Sequence, residues 1–446
     1  MRNSGRKSYA KQKTLPVELT LKRTEKFQGS VALPGSKSIA NRALLLAAVC
    51  GGKTEITGLP DAEDVEVLLR NLPTLGIRTE ISENLVLVHG CNGPFPVEFA
   101  SLRLENAGTA LRPLVALLCA GHGNFTIDGN DQMRNRPIGD LVRGLARLGI
   151  NITAIEKTVL NKTDLYPPVK IQSTGFPGGE TVLSGAVSSQ FISAFLLAAP
   201  FARKPVRLVI AEEPVSKPYI DLTIHMMQEF SVRISRRGYA EFEIEPQQYK
   251  TPGVYRVEAD ATAATYFMSL GALAGPVTIS SLGRDSAQGD VKYANLLRQM
   301  GANVEHSGDR ITVRRGTLNG IDIDMNDMPD AAMTLAVLAL FAKGTTTIRN
   351  IANLRVKESE RIRGLATELT KLGAEVEEGE DSLTVHPPAQ LKPARIETYK
   401  DHRMAMAFSL ASFGTDVTIL DPDCVRKTYT HYFRDYFAVA GQHGRP

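Results

Sequence analysis

Apolar residues in this chain come in helix-length blocks. Each block closes on a small-residue or glycine break and is followed by a short β-rich run, and the pattern returns six times at intervals of about seventy residues. Ala40 to Val49 leads through Gly51-Gly52 to Thr54-Glu55-Ile56-Thr57, and Thr109 to Cys119 leads through Gly121 to Asn124–Ile127. Gln190 to Ala199 leads to Val206–Ile210, and Thr262 to Ala274 leads through Gly275-Pro276 to Val277–Ile279. Ala331 to Ala342 leads through Gly344 to Thr345–Ile348, and Arg403 to Phe413 leads through Gly414 to Val417–Leu420.

A second signal interleaves with the first. Leu75-Gly76-Ile77, Leu148-Gly149-Ile150, Met300-Gly301-Ala302 and Leu372-Gly373-Ala374 each close an amphipathic segment and precede an alternating one. Glycine there fits the position just past a helix C-terminus, where a positive φ is needed. The third round has no glycine at this place, Gln228 to Val232, and the sixth is truncated at the C-terminus. Ile311-Thr312-Val313 after Gly308-Asp309 reads as the return strand of a hairpin. Each unit therefore predicts helix, strand, helix, strand, strand, with one strand carried over from a neighbour. Six units in 446 residues divide most simply into two domains of three.

Composition narrows this to a packed α/β protein: hydrophobic content is 43%, aromatic content 6% and Trp absent, so the core is aliphatic. The net charge of +4 owes much to Arg2, Arg6, Lys7, Lys11 and Lys13 in the N-terminal tail, read as a frayed basic tail. The near-neutral body does not favour nonspecific nucleic-acid binding. Cys50, Cys91, Cys119 and Cys424 form no CxxC pair and have no His at metal spacing, which predicts a reducing cytoplasm and no disulfide. Apolar runs of about a dozen residues are too short to span a bilayer. The first 26 residues lack the apolar core of a secretory signal.

Polar, charge-dense sequence stands at the turns that launch the apolar blocks: Leu33 to Arg42, Asn106 to Pro113, Val187 to Gln190, Met328 to Ala332 and Tyr399 to Arg403. A helix N-terminus offers free N–H groups and partial positive charge, so Gly, Ser or Thr with Lys or Arg on the first turn makes an anion cradle. Taken singly, Ser36, Ser38, Ser188 and Asp330 read as ordinary caps, Arg112 as a snorkelling arginine and His402 as a structural hydrogen-bonder. Several such turns at equivalent points of a repeat imply that the units aim helix ends at one place. The segment Asn350 to Arg363 carries Arg355, Lys357, Glu358, Glu360, Arg361 and Arg363 directly after a strand-like run. It supplies cations for an anion and a carboxylate for proton transfer. Phosphate-loop, dinucleotide and metalloprotease spacings are absent, which predicts anionic-substrate chemistry with neither metal nor cofactor.

Leu33–Ala48 (LPGSKSIANRALLLAA), Asn106–Leu114, Arg136–Val142, Val187–Phe191, Val215–Thr223, Pro329–Thr334, Asn353–Ile362, Asp401–Ser409 and Leu420–Thr428, in this order, resemble the 5-enolpyruvylshikimate-3-phosphate synthase family. The resemblance runs from about Leu19 to about Phe437. It implies an α/β fold of two similar domains, each of three βαβαββ units around buried helices, an inside-out α/β barrel. It implies a discontinuous first domain, 1–36 with 258–446, on the phosphoenolpyruvate side, and a second, 37–257, on the shikimate 3-phosphate side, with the active site between them. The implied reaction moves the enolpyruvyl group of phosphoenolpyruvate to the 5-hydroxyl of shikimate 3-phosphate by addition and elimination, on the way to chorismate and the aromatic amino acids.

By matching motif, the resemblance implies Lys37, Ser38, Arg42, Ser188, Ser189, Gln190, Ser216, Tyr219, Asp330, Asn353 and Lys357 as contacts of shikimate 3-phosphate. It implies Lys37, Gly108, Arg112, Arg136, Gln190, Glu358, Arg361, Arg403 and Lys427 around phosphoenolpyruvate, with no side chain at Gly108 to enter that space. Asp330 becomes the base at the 5-hydroxyl and Glu358 the group that exchanges a proton at the methylene, assisted by Lys37, while His402 supports the cluster. A cytoplasmic monomer is expected, with glyphosate as an inhibitor and neither nucleic acid nor membrane as partner. Glu105, Leu354 and Ser359-Glu360 stand where Gly, Trp and Thr-Asp are frequent in the family. The related transferase acting on UDP-N-acetylglucosamine commonly carries a reactive cysteine on a mobile loop, and Thr126 to Arg136 has none. A non-catalytic anion-binding repeat protein is the third reading, disfavoured because proton-transfer carboxylates accompany the cations.

Overall fold

The structure is a computed structural model that describes residues 15–83, 85–155 and 164–442; the basic tail, residues 1–14, lies outside them. The apolar blocks form helices Lys37–Val49, Gly108–Leu118, Ser189–Ala198, Ala261–Ala274, Pro329–Leu338 and His402–Phe408. They are buried on nearly every side, as helices without a polar face must be. The third, fifth and sixth end in a tighter 3-10 turn, at Ala199–Phe201, Ala339–Phe341 and Ser409–Phe413, so those blocks are not α-helical to their ends.

Six sheets surround these helices, five of four strands and one of three, among the described residues. In the second unit, strand Phe99–Arg103 runs parallel to His122–Asp128 across the buried helix. Val169–Thr174 then pairs antiparallel with His122–Asp128 and with Asn151–Ala154. Along Val169–Thr174 burial alternates strictly: Val169, Ile171 and Ser173 face the helices, while Lys170, Gln172 and Thr174 face solvent. The order of elements is the one the repeats predict, and the helix-inside, sheet-outside α/β arrangement is the one the family resemblance implies. Gly76, Gly149, Gly301 and Gly373 all take positive φ past a helical segment. In the third round Ser231 takes that conformation, φ 67°, so the chain accepts a strained serine where the pattern lacked glycine.

The sixth unit is completed from the far end of the chain. Glu18–Leu21 pairs antiparallel with Val417–Leu420, itself parallel to Ala394–Ile396. The carried-over strands of the first and fourth units are exchanged. Gly29–Ala32 leads into helix Lys37–Val49 but pairs with Pro276–Ser280, whereas Val254–Arg256 leads toward helix Ala261–Ala274 but pairs with Gly51–Thr57. The two crossing segments touch at a Gly35–Ala259 bridge and through Ser36 N–H to the Glu258 carbonyl, 2.7 Å. One apolar cluster gathers Ile39 through Val257, and a second gathers Leu19–Leu33 with Ala259–Ala440.

Candidate active site

All six buried helices present their first turns to one seam between the two clusters. Lys37, Ser38, Arg42, Thr109, Arg136, Ser189, Gln190, Tyr219, Asp330, Lys357, Glu358 and Arg403 line one cavity. An adjoining cavity shares Lys37, Ser38, Tyr219 and Arg403 and adds Asp260, Thr262 and Asp290. Free N–H groups at several helix starts therefore face a common space already crowded with cations.

Asp330 and Glu358 are held in this space by arginine. The Arg361 guanidinium, 1% exposed, donates to Asp330 at 2.9 Å, to Glu358 at 2.8 Å and to Asp401 at 2.8 and 3.2 Å. Arg403 donates to the other Asp330 oxygen at 2.8 Å, and Lys357 stands 3.9 Å from Asp330. Arg136 lies 3.6 Å from Glu358 and donates to the Asn106 side chain at 3.0 Å. Burial alone would raise Asp330, but Arg403, Lys357 and Arg361 outweigh it and hold the carboxyl well below its ordinary range. Burial is likewise outweighed at Glu358, by Arg136, Arg361, Lys427 and Lys37. Both carboxylates are ionised at neutral pH. His402 is fully buried, and burial together with Arg403 pushes its pKa far down, so its ring is neutral.

Asp64 bridges two lysines across the seam, 3.2 Å from Lys37 Nζ and 2.8 Å from Lys427 Nζ, and Lys427 also donates to the Asn106 carbonyl at 2.7 Å. Burial lowers the Lys427 pKa, and Asp64 opposes that shift. Arg112 is buried, donates to Gln190, and stacks 5.4 Å from the Phe191 ring centre. It is therefore locked in place rather than snorkelling. Gly108 opens its helix so close to these groups that a Cβ would lie 2.9 Å from Arg112 Nη1 and 3.0 Å from both terminal nitrogens of Arg136.

On the opposite wall Arg42 donates to Thr223 Oγ1 at 2.8 Å and to the Ser38 carbonyl at 3.0 Å. Ser188 caps its helix by accepting from the Gln190 N–H at 3.3 Å. Ser36 makes no capping bond, and Asp330, in the first turn behind Pro329, turns its carboxylate to the arginines instead of capping. Ser216, at φ 56°, ties the two clusters together: it accepts from Asn353 Nδ2 at 3.0 Å, and its N–H donates to Asn326 at 3.0 Å. The structure thus brings to the seam the substrate contacts implied by the motifs, whereas Arg355, Glu360 and Arg363 of the charged segment line neither cavity: Arg355 and Arg363 pair with Glu378, and Glu360 pairs with Arg355. Asp64, Asn106, Asp290 and Asp401 join them without having been singled out. Asn106 and Asp401 lie inside motifs already noted; Asp64, in Ala62-Glu63-Asp64-Val65, reads like any solvated helix start.

The family model for EPSP synthase (3-phosphoshikimate 1-carboxyvinyltransferase) matches residues 21–436. The chain is 47% identical over 428 residues to the 3-phosphoshikimate 1-carboxyvinyltransferase of Marinomonas sp. (strain MWYL1), covering 95% of this chain and 99% of the relative. It is 49% identical over 422 residues to the enzyme of that name from Cronobacter sakazakii, covering 93% and 97%. A solved EPSP synthase from Acinetobacter baumannii shares the fold, with TM-score 0.76, 24% identity and coverage of 95% and 98%. So does the enolpyruvyl transferase NikO from Streptomyces tendae, with TM-score 0.75, 17% identity and coverage of 94% and 96%. Fold, ordered motifs and sequence identity converge: the chain belongs to the EPSP synthase (3-phosphoshikimate 1-carboxyvinyltransferase) family.

Proposed function

We propose that this protein transfers the enolpyruvyl group of phosphoenolpyruvate to the 5-hydroxyl of shikimate 3-phosphate, releasing inorganic phosphate. The observation that carries the reading is the pair of ionised carboxylates, Asp330 and Glu358, bound to Arg361 in a seam that also holds Lys37, Arg136, Lys357, Arg403 and Lys427. Two polyanionic substrates repel each other and need that density of cations to meet.

In the addition, Asp330 takes the 5-hydroxyl proton as the oxygen attacks the enol carbon, and protonated Glu358 gives a proton to the methylene. A tetrahedral ketal phosphate results. In the elimination, Glu358 takes a proton back from the new methyl group and the carbon–phosphate oxygen bond breaks. The departing phosphate takes the proton held by Asp330. Glu358 must therefore be protonated when both substrates are bound. The structure suggests how: without substrate, Arg136 and Arg361 serve Glu358, and anionic phosphoenolpyruvate would claim those cations and let the Glu358 pKa rise. Lys37 steadies developing charge between the substrates, and neutral His402 supports the cluster.

The Ile39–Val257 side supplies Lys37, Ser38, Arg42, Ser188, Ser189, Gln190, Ser216 and Tyr219 to shikimate 3-phosphate, and the other side adds Asp330, Asn353 and Lys357. Gly108, Arg112, Arg136, Arg361, Arg403 and Lys427 surround phosphoenolpyruvate, where glyphosate would compete. We read the two clusters as domains 37–257 and 1–36 with 258–446, closing on substrate. We further infer a cytoplasmic monomer. Cys50, Cys91, Cys119 and Cys424 are unpaired, and no helix among the described residues is long and apolar enough to cross a membrane. The deciding experiment is phosphate release: it must require both substrates together, and release from phosphoenolpyruvate alone, or none with both, refutes the reading.

A further inference from the structure

Asp290 lies in the 3-10 turn Gly289–Lys292 and is 3% exposed, yet the reaction scheme does not use it. Its Oδ2 accepts from Thr262 Oγ1 and, at 3.4 Å, from the Tyr219 hydroxyl, while its Oδ1 is buried without a hydrogen-bond partner. The same hydroxyl lies 3.5 Å from Asp330 Oδ2. A phenol from one apolar cluster is thus inserted between two carboxyl groups of the other. It has one proton, so it can donate to only one of them. The second carboxyl must bring its own proton or face its neighbour as a second anion.

The surroundings decide which is neutral. Asp330 has Arg361, Arg403 and Lys357. Asp290 forms no ion pair among the described residues. The charged and titratable groups facing it are Asp330, Arg403, Asp260, Lys37 and Tyr219, with Arg403 already committed to Asp330. Burial first, and the Asp330 charge second, push Asp290 up to about 7, against the pull of Thr262 and Arg403.

We propose that Asp290 is a positioning residue for shikimate 3-phosphate: in its neutral form it holds the Tyr219 hydroxyl on Asp330 as the halves close, so that capture of the substrate takes up a proton. This rests on the substrate reading above. When the halves part, Tyr219 withdraws and water restores Asp290 to an ordinary carboxyl, with a pKa of about 4. The raised value belongs to the closed form. Closure is therefore unhindered below about pH 4, is opposed increasingly as pH rises toward 7, and is opposed by a constant amount above that.

Asp290→Asn, a neutral isostere, removes the opposition. Calorimetric titration of shikimate 3-phosphate into both full-length proteins, in two buffers of different ionisation heat, measures affinity and proton uptake together. At about pH 5.5 the wild type should take up nearly one proton more per substrate than the variant. The ratio of wild-type to variant Kd should rise about tenfold between about pH 5.5 and 7, then level off. The substrate's own phosphate titrates equally with both proteins and cancels. Equal proton uptake with superimposable Kd profiles overturns the proposal. Wild-type protein alone supplies a second measurement: substrate binding at about pH 6 should bring up a carboxylic-acid C=O band in the infrared difference spectrum that is missing at about pH 9. No such band overturns the proposal even if the variant fails to fold. If the wild type binds no shikimate 3-phosphate at all, the substrate reading falls as well, an outcome distinct from binding without proton uptake.

Discussion

Replacing Asp401 by Asn tests whether Arg361 is aimed from behind. Asp401 is fully buried, accepts twice from Arg361, and caps its helix through the Arg403 N–H at 3.0 Å; Ser359 adds a further bond at 3.0 Å. Asn keeps the shape, the cap and the Oδ1 acceptor but turns an NH2 toward Arg361 Nε, so the variant removes the charge together with one of the two Arg361 hydrogen bonds. With charge centres about 4 Å apart and an effective dielectric of about 20, that attraction is worth roughly 4 kcal/mol. Burying one carboxylate fewer returns part of it, leaving about 2 kcal/mol. Arg361 would then be drawn toward Asp330 and Glu358 and yield less readily to phosphoenolpyruvate. The expected result is a fall of roughly thirtyfold in kcat/KM for phosphoenolpyruvate, with the Kd for shikimate 3-phosphate changed by less than about twofold. Ser359→Ala, which removes one hydrogen bond and no charge, should cost about threefold or less. Steady-state phosphate release with each substrate varied in turn gives both numbers, and circular dichroism checks the fold. If Asp401→Asn keeps kcat/KM for phosphoenolpyruvate within about threefold of wild type, Asp401 does not aim Arg361 and the reasoning fails.

Asp330→Ala and Glu358→Gln should each lower turnover by roughly 10²-fold or more, as loss of an acid–base group does; near-normal kcat in both would remove the proton-transfer assignment. Gly108→Ala places a methyl about 3 Å from the Arg112 and Arg136 guanidiniums, which must shift by a few tenths of an ångström. The KM for phosphoenolpyruvate should rise about tenfold while shikimate 3-phosphate binding is unchanged, and equal effects on both substrates would refute the assignment of this corner. Saturating shikimate 3-phosphate should compact the protein in small-angle scattering, and an unchanged profile would refute closure.

The helices were legible because their apolar blocks have no polar face to place in water, and a sixfold pattern leaves little freedom in how such blocks pack. The charge cluster was legible because Lys37, Asp330 and Arg403 stand in first turns and Arg112 one turn into its helix, where charge beside an apolar run is conspicuous. Asp64 and Asp290 were not, since each is a single acid whose burial depends on partners hundreds of residues away or in another unit: Lys427 for one, Tyr219 for the other. The exchange of strands Gly29–Ala32 and Val254–Arg256 was hidden for the same reason, because a short strand specifies its own alternation and not its neighbour. Ser231 shows the limit of residue-type reading: backbone bonds impose φ 67° whether or not glycine is available.

That exchange, with the far-end pairing of Glu18–Leu21, sets an order of assembly as the chain emerges from the ribosome. Residues 37–257 contain every strand of their three sheets, so this portion can finish while the rest is still unmade. Glu18–Leu21 and Gly29–Ala32, though synthesised first, must wait for Val417–Leu420 and Pro276–Ser280. A nascent chain stalled before Leu420 would carry an early strand with no docking place, and it is there that chaperone capture should concentrate.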